Sequence, residues 1–559
     1  MQLVNSNKLY SIKLTTICSI LFIIFITLFS YSASLNGKFI WDDNNLIRHN
    51  SDVKEFSRIP SVFKVSLAGN LGKIYKSYRP LQILSYMLDY RLWDFNAFGY
   101  HLTNCLLHIG VGLLIYWLTR IIFNDWILSF ITASFYVVLP IHTEAIAYIS
   151  GRADPLAAIF ILFSLISFIK YDKQPKAVLF LLTLLGYVFA LLSRESAIIL
   201  PLLIVLYCLF FSKLRRWKLF IGIALISVGY MILRLTVLRF SMPSKDFYVY
   251  TTIFQRLPGA FIAIANYIKL LIIPLDLHME YGEKLFSYLN PLFWLGLIMS
   301  ILLLFYAWTH RMKNKIVSFS IVWFYICLLP NLNLYPINAY MAEHWLYLAS
   351  IGFAIVVGYY LSYWWRKDAF RTIAFALTLL LIGGYAFLTF QQNEYWINTT
   401  FFCKRTLKYS PDNYKLYSLL ANTYIRDKKY DDAIEACQKS IEIKPSFPYS
   451  YFNLGLVYMD LGVYDRAIEY FQISISKNPE FINAYNNIAV CYFEKGDIDT
   501  AIEVCKKITE MNPRYARAYY NLTMFYSIKG EKKEADKYER KLEELGHTMG
   551  EFAFEVNVE

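Results

Sequence analysis

The sequence predicts an all-α protein, built from a polytopic bundle of about eleven membrane-spanning helices and a C-terminal α-solenoid of helix-pair repeats. Hydrophobic residues make up 57% and charged residues only 17% of the 559 residues, and apolar runs dominate as far as about Phe390. Beyond that point Lys, Asp and Glu become dense, and prolines recur at a fixed interval. This composition excludes a water-soluble globule and predicts a domain boundary near residue 395.

The apolar runs have the length of membrane spans. A helix that crosses a bilayer needs roughly 20 mostly apolar residues, because lipid cannot satisfy backbone polar groups. We predict spans at approximately 12–32, 100–120, 126–143, 154–171, 177–193, 196–212, 218–238, 291–309, 316–330, 346–364 and 370–390, with 258–274 as a doubtful twelfth. The first run is interpreted as an uncleaved anchor, since no convincing cleavage site follows it.

Basic residues in short loops predict the orientation, because Lys and Arg stay on the cytoplasmic side. Basic loops lie at 173–176, 213–218, 311–315 and 366–371, and the N-terminus carries Lys8 and Lys13. Counting 258–274 as a span would place the 311–315 loop outside. We therefore predict eleven spans and an external excursion over 240–290 that contains a re-entrant or surface-lying helix.

An odd number of spans puts everything after Phe390 on the extracytoplasmic side. The expected location is a bacterial inner (plasma) membrane, with an endoplasmic reticulum membrane and lumenal repeats as the alternative. Because the net charge of +13 comes from short loops and not from one face of a domain, no nucleic-acid partner is expected. This organisation predicts that the helices contact membrane lipids.

The C-terminal part carries tetratricopeptide repeats. Prolines at positions 411, 445, 479 and 513 stand 34 residues apart, which is the period of this repeat. In one repeat Tyr451, Leu454, Gly455, Tyr458, Ala467 and Phe471 stand at the expected offsets before the proline. The predicted organisation is a membrane domain over 1–395 with a first external loop at 33–99, a connecting helix over 396–413, four repeats over 414–547 and a tail over 548–559. Stacked repeats form a groove suited to an extended peptide.

Two adjacent acids, Asp42 and Asp43, follow the first span on the predicted outer side. A carboxylate that reaches an acceptor hydroxyl can act as the general base of a glycosyl or acyl transfer. The alternative interpretation is an ordinary polar loop, or a helix N-cap in which Asp43 accepts hydrogen bonds from the amides that follow.

Further polar groups gather on the same predicted side. They are Tyr78, Arg79, His101, Asn104, His108, His142, Glu144, Arg152, Asp154, Arg194, Glu195, Glu343 and His344. The spacing of His101, Asn104 and His108 puts them on one helix face, where hydrogen bonding between helices is favoured over metal binding. The arginines could grip a phosphate, or form internal pairs such as Arg152 with Asp154 and Arg194 with Glu195. The scattered cysteines show no metal-ligand spacing.

Several separated blocks resemble one family in the right order. They are WDDNNLIRHN, YRPLQILSYMLDYRLW, FGYHLTNCLLHIGVGLLIYWL, PIHTEAIAYISGRADPLAAIF, LLSRESAIILP and LPNLNLYPINAYMAEHWLYLASIGF. Together with the repeats they resemble the transmembrane and tetratricopeptide repeat-containing O-mannosyltransferases and their bacterial relatives. The likeness spans nearly the entire chain.

The resemblance implies a GT-C glycosyltransferase fold and an inverting transfer of a sugar, such as the hexose mannose, from a polyprenyl-phosphate donor. The acceptor would be a Ser or Thr hydroxyl of a polypeptide held by the repeats. It further implies that Asp42 or Asp43 is the catalytic acid of the first external loop. The donor and acceptor site would be lined by Arg79, His142, Glu144, Arg152, Glu195 and Glu343. No metal ligands are assigned, and participation of a divalent cation is left open.

The sequence departs from the family pattern at His344, where relatives usually carry Arg, and at Ala349, where they carry Pro. The first change puts a phosphate-binding role at that position in doubt. Two other functions compete with the glycosyltransferase: a non-catalytic membrane scaffold whose repeats recruit partners to an envelope assembly, and a lipid-linked oligosaccharide ligase or polymerase.

Overall fold

A computed structural model of the protein describes residues 2–64, 67, 77–212, 217–236, 251–282, 284–337 and 339–552. Throughout these ranges the regular elements are helices, and no strand is formed. The chain divides into two units, Met1–Phe402 and Cys403–Glu559. The predicted all-α fold class is confirmed.

The first unit consists of long helices joined by short helical turns. The long helices are Gln2–Tyr31, Pro80–Trp93, Ala97–Phe123, Trp126–Val137, Ala153–Lys173, Ala177–Ser193, Leu200–Phe211, Trp217–Thr236, Ile253–Ile272, Pro291–Thr309, Lys315–Leu328, Leu346–Trp365, Arg371–Asn393 and Thr399–Tyr409, which extends past the unit boundary. The short turns that carry polar residues include Asn44–Arg48, Pro140–His142, Thr143–Ile146, Ile149–Arg152, Glu195–Ile199 and Glu343–Trp345.

Seven helices of the described chain are long and apolar enough to cross a membrane, and a bent pair, Trp126–Val137 with Pro140–Ile146, makes eight. Three shorter apolar helices, Ala177–Ser193, Glu195–Phe211 and Lys315–Asn331, accompany them. These elements coincide with the eleven segments named from the sequence. The predicted polytopic membrane bundle is therefore confirmed, while the number of segments that cross fully stays a prediction.

The Ile253–Ile272 helix is the one expected within 240–290. It begins with a capping box formed by Thr252 and Gln255. The helix buries Arg256, whose guanidinium donates to the carbonyl oxygens of Asn333 and Leu334 at 2.9 Å. Polar residues inside the helix explain why it is not among the apolar spans. Residues 237–250 of the predicted excursion lie outside the described residues.

Small residues let the central helices approach closely. A Cβ at Gly352 would meet the backbone oxygen of Ser320, and one at Gly358 would meet the side chain of Thr132. Where hydrophobic association is weak, as in lipid, such close contact is what holds helices together. The Leu346–Trp365 helix therefore packs closely against both Lys315–Leu328 and Trp126–Val137.

The second unit is a run of four helix pairs. The pairs are Tyr414–Arg426 with Tyr430–Ile443, Pro448–Asp460 with Tyr464–Lys477, Ile482–Glu494 with Ile498–Met511, and Ala516–Lys529 with Lys532–Glu544. Each pair buries an alanine where its two helices meet, at the position where the repeat pattern calls for a small residue. Ala433, Ala467 and Ala501 are 0% exposed. A Cβ at Gly455 would meet the ring of Phe471 at 2.5 Å, so this position accepts only glycine without rearrangement.

Candidate functional site

The two acids after the first span have different environments. Asp43 is fully buried, and its Oδ1 accepts hydrogen bonds from the amide of Ser150 at 2.9 Å and the hydroxyl of Ser150 at 2.5 Å. Its Oδ2 accepts from the amide of Ile40 at 3.0 Å. Asp43 makes no side-chain cap to the turn that follows, so the N-cap interpretation was wrong. The carboxylate instead ties the first external loop to the turn that contains Ser150.

Burial changes the acidity of Asp43. Loss of water raises the pKa of this carboxyl from 3.8 to about 7, against the hydrogen bonds from Ser150 and Ile40, which favour the charged form. The adjacent charge of Asp42 raises the pKa further. A group with three donors around it and such a shift is suited to holding a loop, and it has little access to a substrate hydroxyl.

Asp42 is the more accessible of the two acids, being only partly buried. Its backbone amide donates to the hydroxyl oxygen of Tyr148 at 3.3 Å. Tyr148 stacks on Trp396, with ring centroids 5.7 Å apart. The preceding residue, Trp41, adopts a left-handed backbone conformation at φ 48°, which non-glycine residues rarely adopt. The loop is thus held in a specific shape that presents Asp42 beside an aromatic wall.

Arg152 supports this loop from within the protein. Its guanidinium is 0% exposed and lies 2.5 Å from Oδ2 of Asp89. It also donates to Oδ1 of Asn104 at 2.6 Å, to the Tyr100 carbonyl oxygen at 2.9 Å and to the Ser85 hydroxyl at 3.2 Å. Because its donors have internal partners, Arg152 fixes the turn that carries Ser150.

The internal ion pairs differ from those that neighbouring sequence positions indicated. Arg152 pairs with Asp89 and not with Asp154, and Asp154 pairs with Arg194. Residues two apart on a helix point in different directions, so Arg152 and Asp154 cannot face each other. The helix face that carries His101, Asn104 and His108 was predicted to form hydrogen bonds between helices. Asn104 does so, because its side chain donates to the Ile146 carbonyl oxygen at 3.0 Å.

A second carboxylate holds an imidazole. Glu144 is 2% exposed, and its Oε1 lies 2.6 Å from Nδ1 of His344, while its Oε2 accepts from the backbone amide of His344 at 2.9 Å. The side chain of His344 is 24% exposed. This geometry orients the imidazole so that its other nitrogen can meet a ligand, a role that sequence reasoning did not give to His344.

Glu343 lies next to this pair but is buried. Its Oε1 accepts from the amide of His278 and from the hydroxyl of Tyr281, both at 2.6 Å. His278 and Tyr281 were not predicted, because their segment reads as an external excursion with no motif. Glu343 thus attaches this segment to the site.

Arg79 and Glu195 form a partly exposed pair. Nε of Arg79 lies 3.2 Å from Oε2 of Glu195, and the two side chains are 19% and 20% exposed. Oε1 of Glu195 accepts from the amide of Tyr78 at 2.8 Å. Arg194 and Arg234 also interact electrostatically with Glu195. Among the described residues, this arginine cluster comprises Arg79, Arg194 and Arg234 with the two acids Asp154 and Glu195, a surplus of one positive charge.

His142 belongs to the core. Its Nε2 lies 2.9 Å from the Ser350 hydroxyl, and its ring packs against Tyr136 and Tyr347 with centroids 4.4 and 4.9 Å away. His108 bonds to the Tyr347 hydroxyl at 2.7 Å. Both histidines join helices in the described interior. Among the described residues no three His, Cys, Asp or Glu side chains converge as a metal site.

The structure brings the predicted residues together in three sets, all in the first unit. Asp42 and Asp43 contact the 148–150 turn, Glu144 and Glu343 meet around His344, and Arg79 pairs with Glu195. The short Thr143–Ile146 helix contacts the Glu343–Trp345 turn and also precedes the 148–150 turn, so it connects the first two sets. Arg152 and His142 lie beneath this surface.

Comparison with known proteins gives matches to both parts of the chain. Family models described as TPR repeat and tetratricopeptide repeat match residues 421–462 and 452–516. The chain is 26% identical to protein O-mannosyl-transferase F38B6.6 of Caenorhabditis elegans over 71% of this chain and 59% of the relative. It is 23% identical to protein O-mannosyl-transferase TMTC3 of Homo sapiens over 72% of this chain and 49% of the relative.

A shorter match reaches higher identity, 36% with protein O-mannosyl-transferase TMTC2 of Homo sapiens over 25% of this chain and 17% of the relative. Among solved structures, a crystal structure of MamA is 30% identical over 26% of this chain and 84% of that chain, with a TM-score of 0.24. The chain spans about half the length of the Caenorhabditis elegans relative and of human TMTC3, 59% and 49%. The resemblance to tetratricopeptide-containing O-mannosyl-transferases is confirmed.

Proposed function

We propose that this protein is a membrane glycosyltransferase that moves a hexose such as mannose from a polyprenyl-phosphate donor to a Ser or Thr hydroxyl of a polypeptide. The observation that carries the proposal is the loop at Asp42. Its more exposed carboxylate is presented at the end of the first span by a buried anchor, Asp43 with Ser150. The names of relatives that cover most of this chain support the same reaction class.

In the proposed reaction the acceptor hydroxyl oxygen attacks the anomeric carbon of the donor sugar. Asp42 takes the hydroxyl proton as the new bond forms. The bond between the anomeric carbon and the phosphate oxygen breaks, and the polyprenyl phosphate leaves with the electron pair. Attack opposite the leaving group inverts the anomeric centre. The first external loop therefore supplies the base, and Asp43 positions that loop.

The departing phosphate needs positive charge nearby. Arg79 is the most suitable donor, because its side chain is partly exposed and its ion pair with Glu195, at 3.2 Å, is made through Nε alone. A guanidinium can grip a phosphate through two parallel hydrogen bonds. The surplus cation of the arginine cluster allows Arg79 to serve the donor while Glu195 keeps other partners. The same proposal gives His344, whose imidazole is held by Glu144 at 2.6 Å, a contact with the donor or the acceptor.

The repeat unit would bind the acceptor polypeptide, since stacked repeats offer a groove for an extended peptide. Basic loops inside and an odd span count would put both the Asp42 loop and the repeats on the extracytoplasmic side. We place the protein in an inner (plasma) membrane, with an endoplasmic reticulum membrane as the alternative.

Paired substitutions test the proposal in cells. Asp42→Asn removes the base with little change in size, and transfer should fall by roughly a hundredfold to ten-thousandfold. Glu55→Gln, at an exposed acid later in the same loop, is the matched control and should keep activity. Mass spectrometry of envelope proteins measures hexose on Ser and Thr. A normal sugar pattern with Asp42→Asn would refute the role of Asp42 and favour the non-catalytic scaffold.

The second candidate function, a lipid-linked oligosaccharide ligase or polymerase, shares the donor but not the acceptor. The repeat unit favours a polypeptide acceptor over a glycan, because helical repeats of this kind have grooves of peptide width. Sugar appearing on a lipid-linked glycan and not on protein would favour the ligase or polymerase.

A further inference from the structure

We infer that the first unit binds an anionic phospholipid in a pocket that is separate from the proposed site of sugar transfer. The pocket has a volume of about 1110 Å³ and is lined by residues of the Leu200–Phe211, Pro291–Thr309 and Lys315–Leu328 helices. We call it the basic-rim pocket, after Arg311 and Lys315 at its edge. Among the described residues that line it, none belongs to the three sets of site residues.

The helices that form the pocket also separate it from the predicted site. Leu200–Phe211 and Pro291–Thr309 both pack against Lys315–Leu328, and the pocket is lined by all three. The Leu200–Phe211 helix begins directly after the Glu195–Ile199 turn and ends at the pocket. At a rise of 1.5 Å per residue, the rim lies about 17 Å from that turn. A ligand in this pocket therefore occupies a different place from a donor held by Arg79.

The pocket is polar at one end and apolar along its depth. Lys315 begins its helix at the rim, and Val322, seven residues later, lines the pocket about 10 Å deeper. On a second wall Leu209 precedes Ser212, which lies at the rim, and Leu304 lines the third. Leu209 and Leu304 are 69% and 42% exposed, so hydrocarbon can contact this wall. A charged head with an apolar chain matches the pocket, whereas a free anion would use only the rim.

Two cations at the rim have no internal counter-ion. Cζ of Arg311 lies 4.1 Å from the ring centroid of Trp308, and Nη1 donates to the Trp308 carbonyl oxygen at 2.6 Å. This stacking holds the guanidinium in place and leaves its other nitrogens to donate to a ligand. Neither Arg311 nor Lys315 forms an ion pair within the part of the chain that the structure describes, and both are exposed. A fixed guanidinium beside an ammonium is suited to binding a phosphate.

One acid also lines the pocket. The carboxylate of Asp172 accepts a hydrogen bond from the Ser212 hydroxyl, which ties the end of the Ala153–Lys173 helix to the end of Leu200–Phe211. With Arg311 and Lys315, Asp172 leaves the described lining with a surplus of one positive charge. The phosphodiester of an anionic phospholipid carries one negative charge, so it balances this surplus.

The neighbouring loops identify the source of the lipid. The rim residues belong to or border the basic loops at 173–176, 213–218 and 311–315, which the orientation rule places on the cytoplasmic side. Basic pockets between membrane helices on that side bind the headgroups of anionic lipids. The occupant is therefore a phospholipid of the leaflet that borders the rim. Its binding does not depend on the proposed sugar transfer.

Displacement of a labelled lipid from the full chain in detergent tests the inference. Phosphatidylglycerol with a fluorescent acyl chain is bound to the protein, and its anisotropy is followed as unlabelled competitors are added. The competitors are phosphatidylglycerol, phosphatidylcholine with the same chains, inorganic phosphate and polyprenyl phosphate. We expect phosphatidylglycerol to displace the label most effectively, and at least about tenfold better than phosphatidylcholine, because each cation near a headgroup contributes about fivefold.

The other competitors exclude other ligands. Equal displacement by phosphatidylcholine would overturn the recognition of charge, and equal displacement by inorganic phosphate would overturn the part given to the apolar wall. Displacement by polyprenyl phosphate that equals or exceeds that by phosphatidylglycerol would overturn the choice of a phospholipid.

Variants at the rim locate the site. Arg311→Gln and Lys315→Gln should each weaken phosphatidylglycerol binding about fivefold, and the double variant about thirtyfold. Lys313→Gln removes an exposed lysine of the same loop that does not line the pocket, so it is the matched control and should bind like the wild type. All three positions are exposed, and thermal unfolding checks that each variant stays folded. Equal losses at all three positions, or unchanged binding by the double variant, would overturn the assignment to this pocket.

Discussion

The anchor formed by Asp43 and Ser150 makes a quantitative prediction about pH. Asn at position 43 keeps an oxygen for the Ser150 donors at 2.9 and 2.5 Å, but its amide nitrogen cannot accept from Ile40. Asp43→Asn therefore loses one buried hydrogen bond, at a cost of about 1–3 kcal/mol. It also removes a titrating group from the interior.

The two pKa values of this carboxyl determine whether its contribution to stability rises or falls with pH. Its pKa is 3.8 unperturbed and about 7 in the fold, so between these values the native state binds more protons than the unfolded state. The contribution of Asp43 to stability is fully present below pH 3.8 and is lost as the pH rises through 7. A pKa difference of roughly 3, at about 1.36 kcal/mol for each pH unit, gives a loss on the order of 4 kcal/mol.

The assay is thermal unfolding of the wild-type chain and of Asp43→Asn in detergent, followed by Trp fluorescence from about pH 4.5 to about pH 8, a range that brackets the folded-state pKa. Other titrating groups act on both proteins, so their effects cancel in the difference between the two unfolding temperatures. We expect the wild type to lose its advantage over the variant as the pH rises, and the variant to be as stable or more stable at the alkaline end. Glu55→Gln is the control, since a substitution at an exposed acid of the same loop should change the pH dependence of stability little. Parallel curves over the whole range would refute the account of Asp43.

Three further predictions follow from individual contacts. Asp89→Asn leaves the buried guanidinium of Arg152 without its counter-ion and should destabilise the protein by about 3–5 kcal/mol in thermal unfolding, whereas Asp94→Asn at the end of the same helix should have little effect. Glu144→Gln weakens the hold on the His344 imidazole and should lower the transfer rate about tenfold to a hundredfold, with normal expression; an unchanged rate would contradict a role for the pair. Gly455→Val forces a side chain into the ring of Phe471 and should lower the unfolding temperature of the repeat unit, measured by circular dichroism, and a variant that unfolds like the wild type would contradict the packing described.

The helices could be predicted from the sequence because membrane spans and repeats depend on local properties. Apolar length defines a span and a 34-residue period defines a repeat, so each segment carries its own signal. The grouping of Asp42 with the 148–150 turn was also within reach, since the orientation rule places both on one side of the bilayer.

The roles within the site depend on residues far apart in the chain. Nothing near Asp43 indicates that Ser150 binds it, 107 positions away, or that His344 sits 200 positions from its partner Glu144. The pairing of Arg152 with Asp89 was missed for the same reason, because sequence neighbours suggested Asp154. Only packing decides which carboxylate is buried as an anchor and which remains accessible.

The central claim is that Asp42 serves a sugar transfer from a lipid phosphate to a polypeptide. The most direct measurement uses the purified chain in lipid nanodiscs with synthetic polyprenyl-phosphate mannose and a Ser- and Thr-containing peptide, followed by mass spectrometry. The account predicts a peptide heavier by one hexose and release of polyprenyl phosphate, both lost with Asp42→Asn and kept with Glu55→Gln. Equal transfer by the Asp42→Asn protein and the wild type would contradict it.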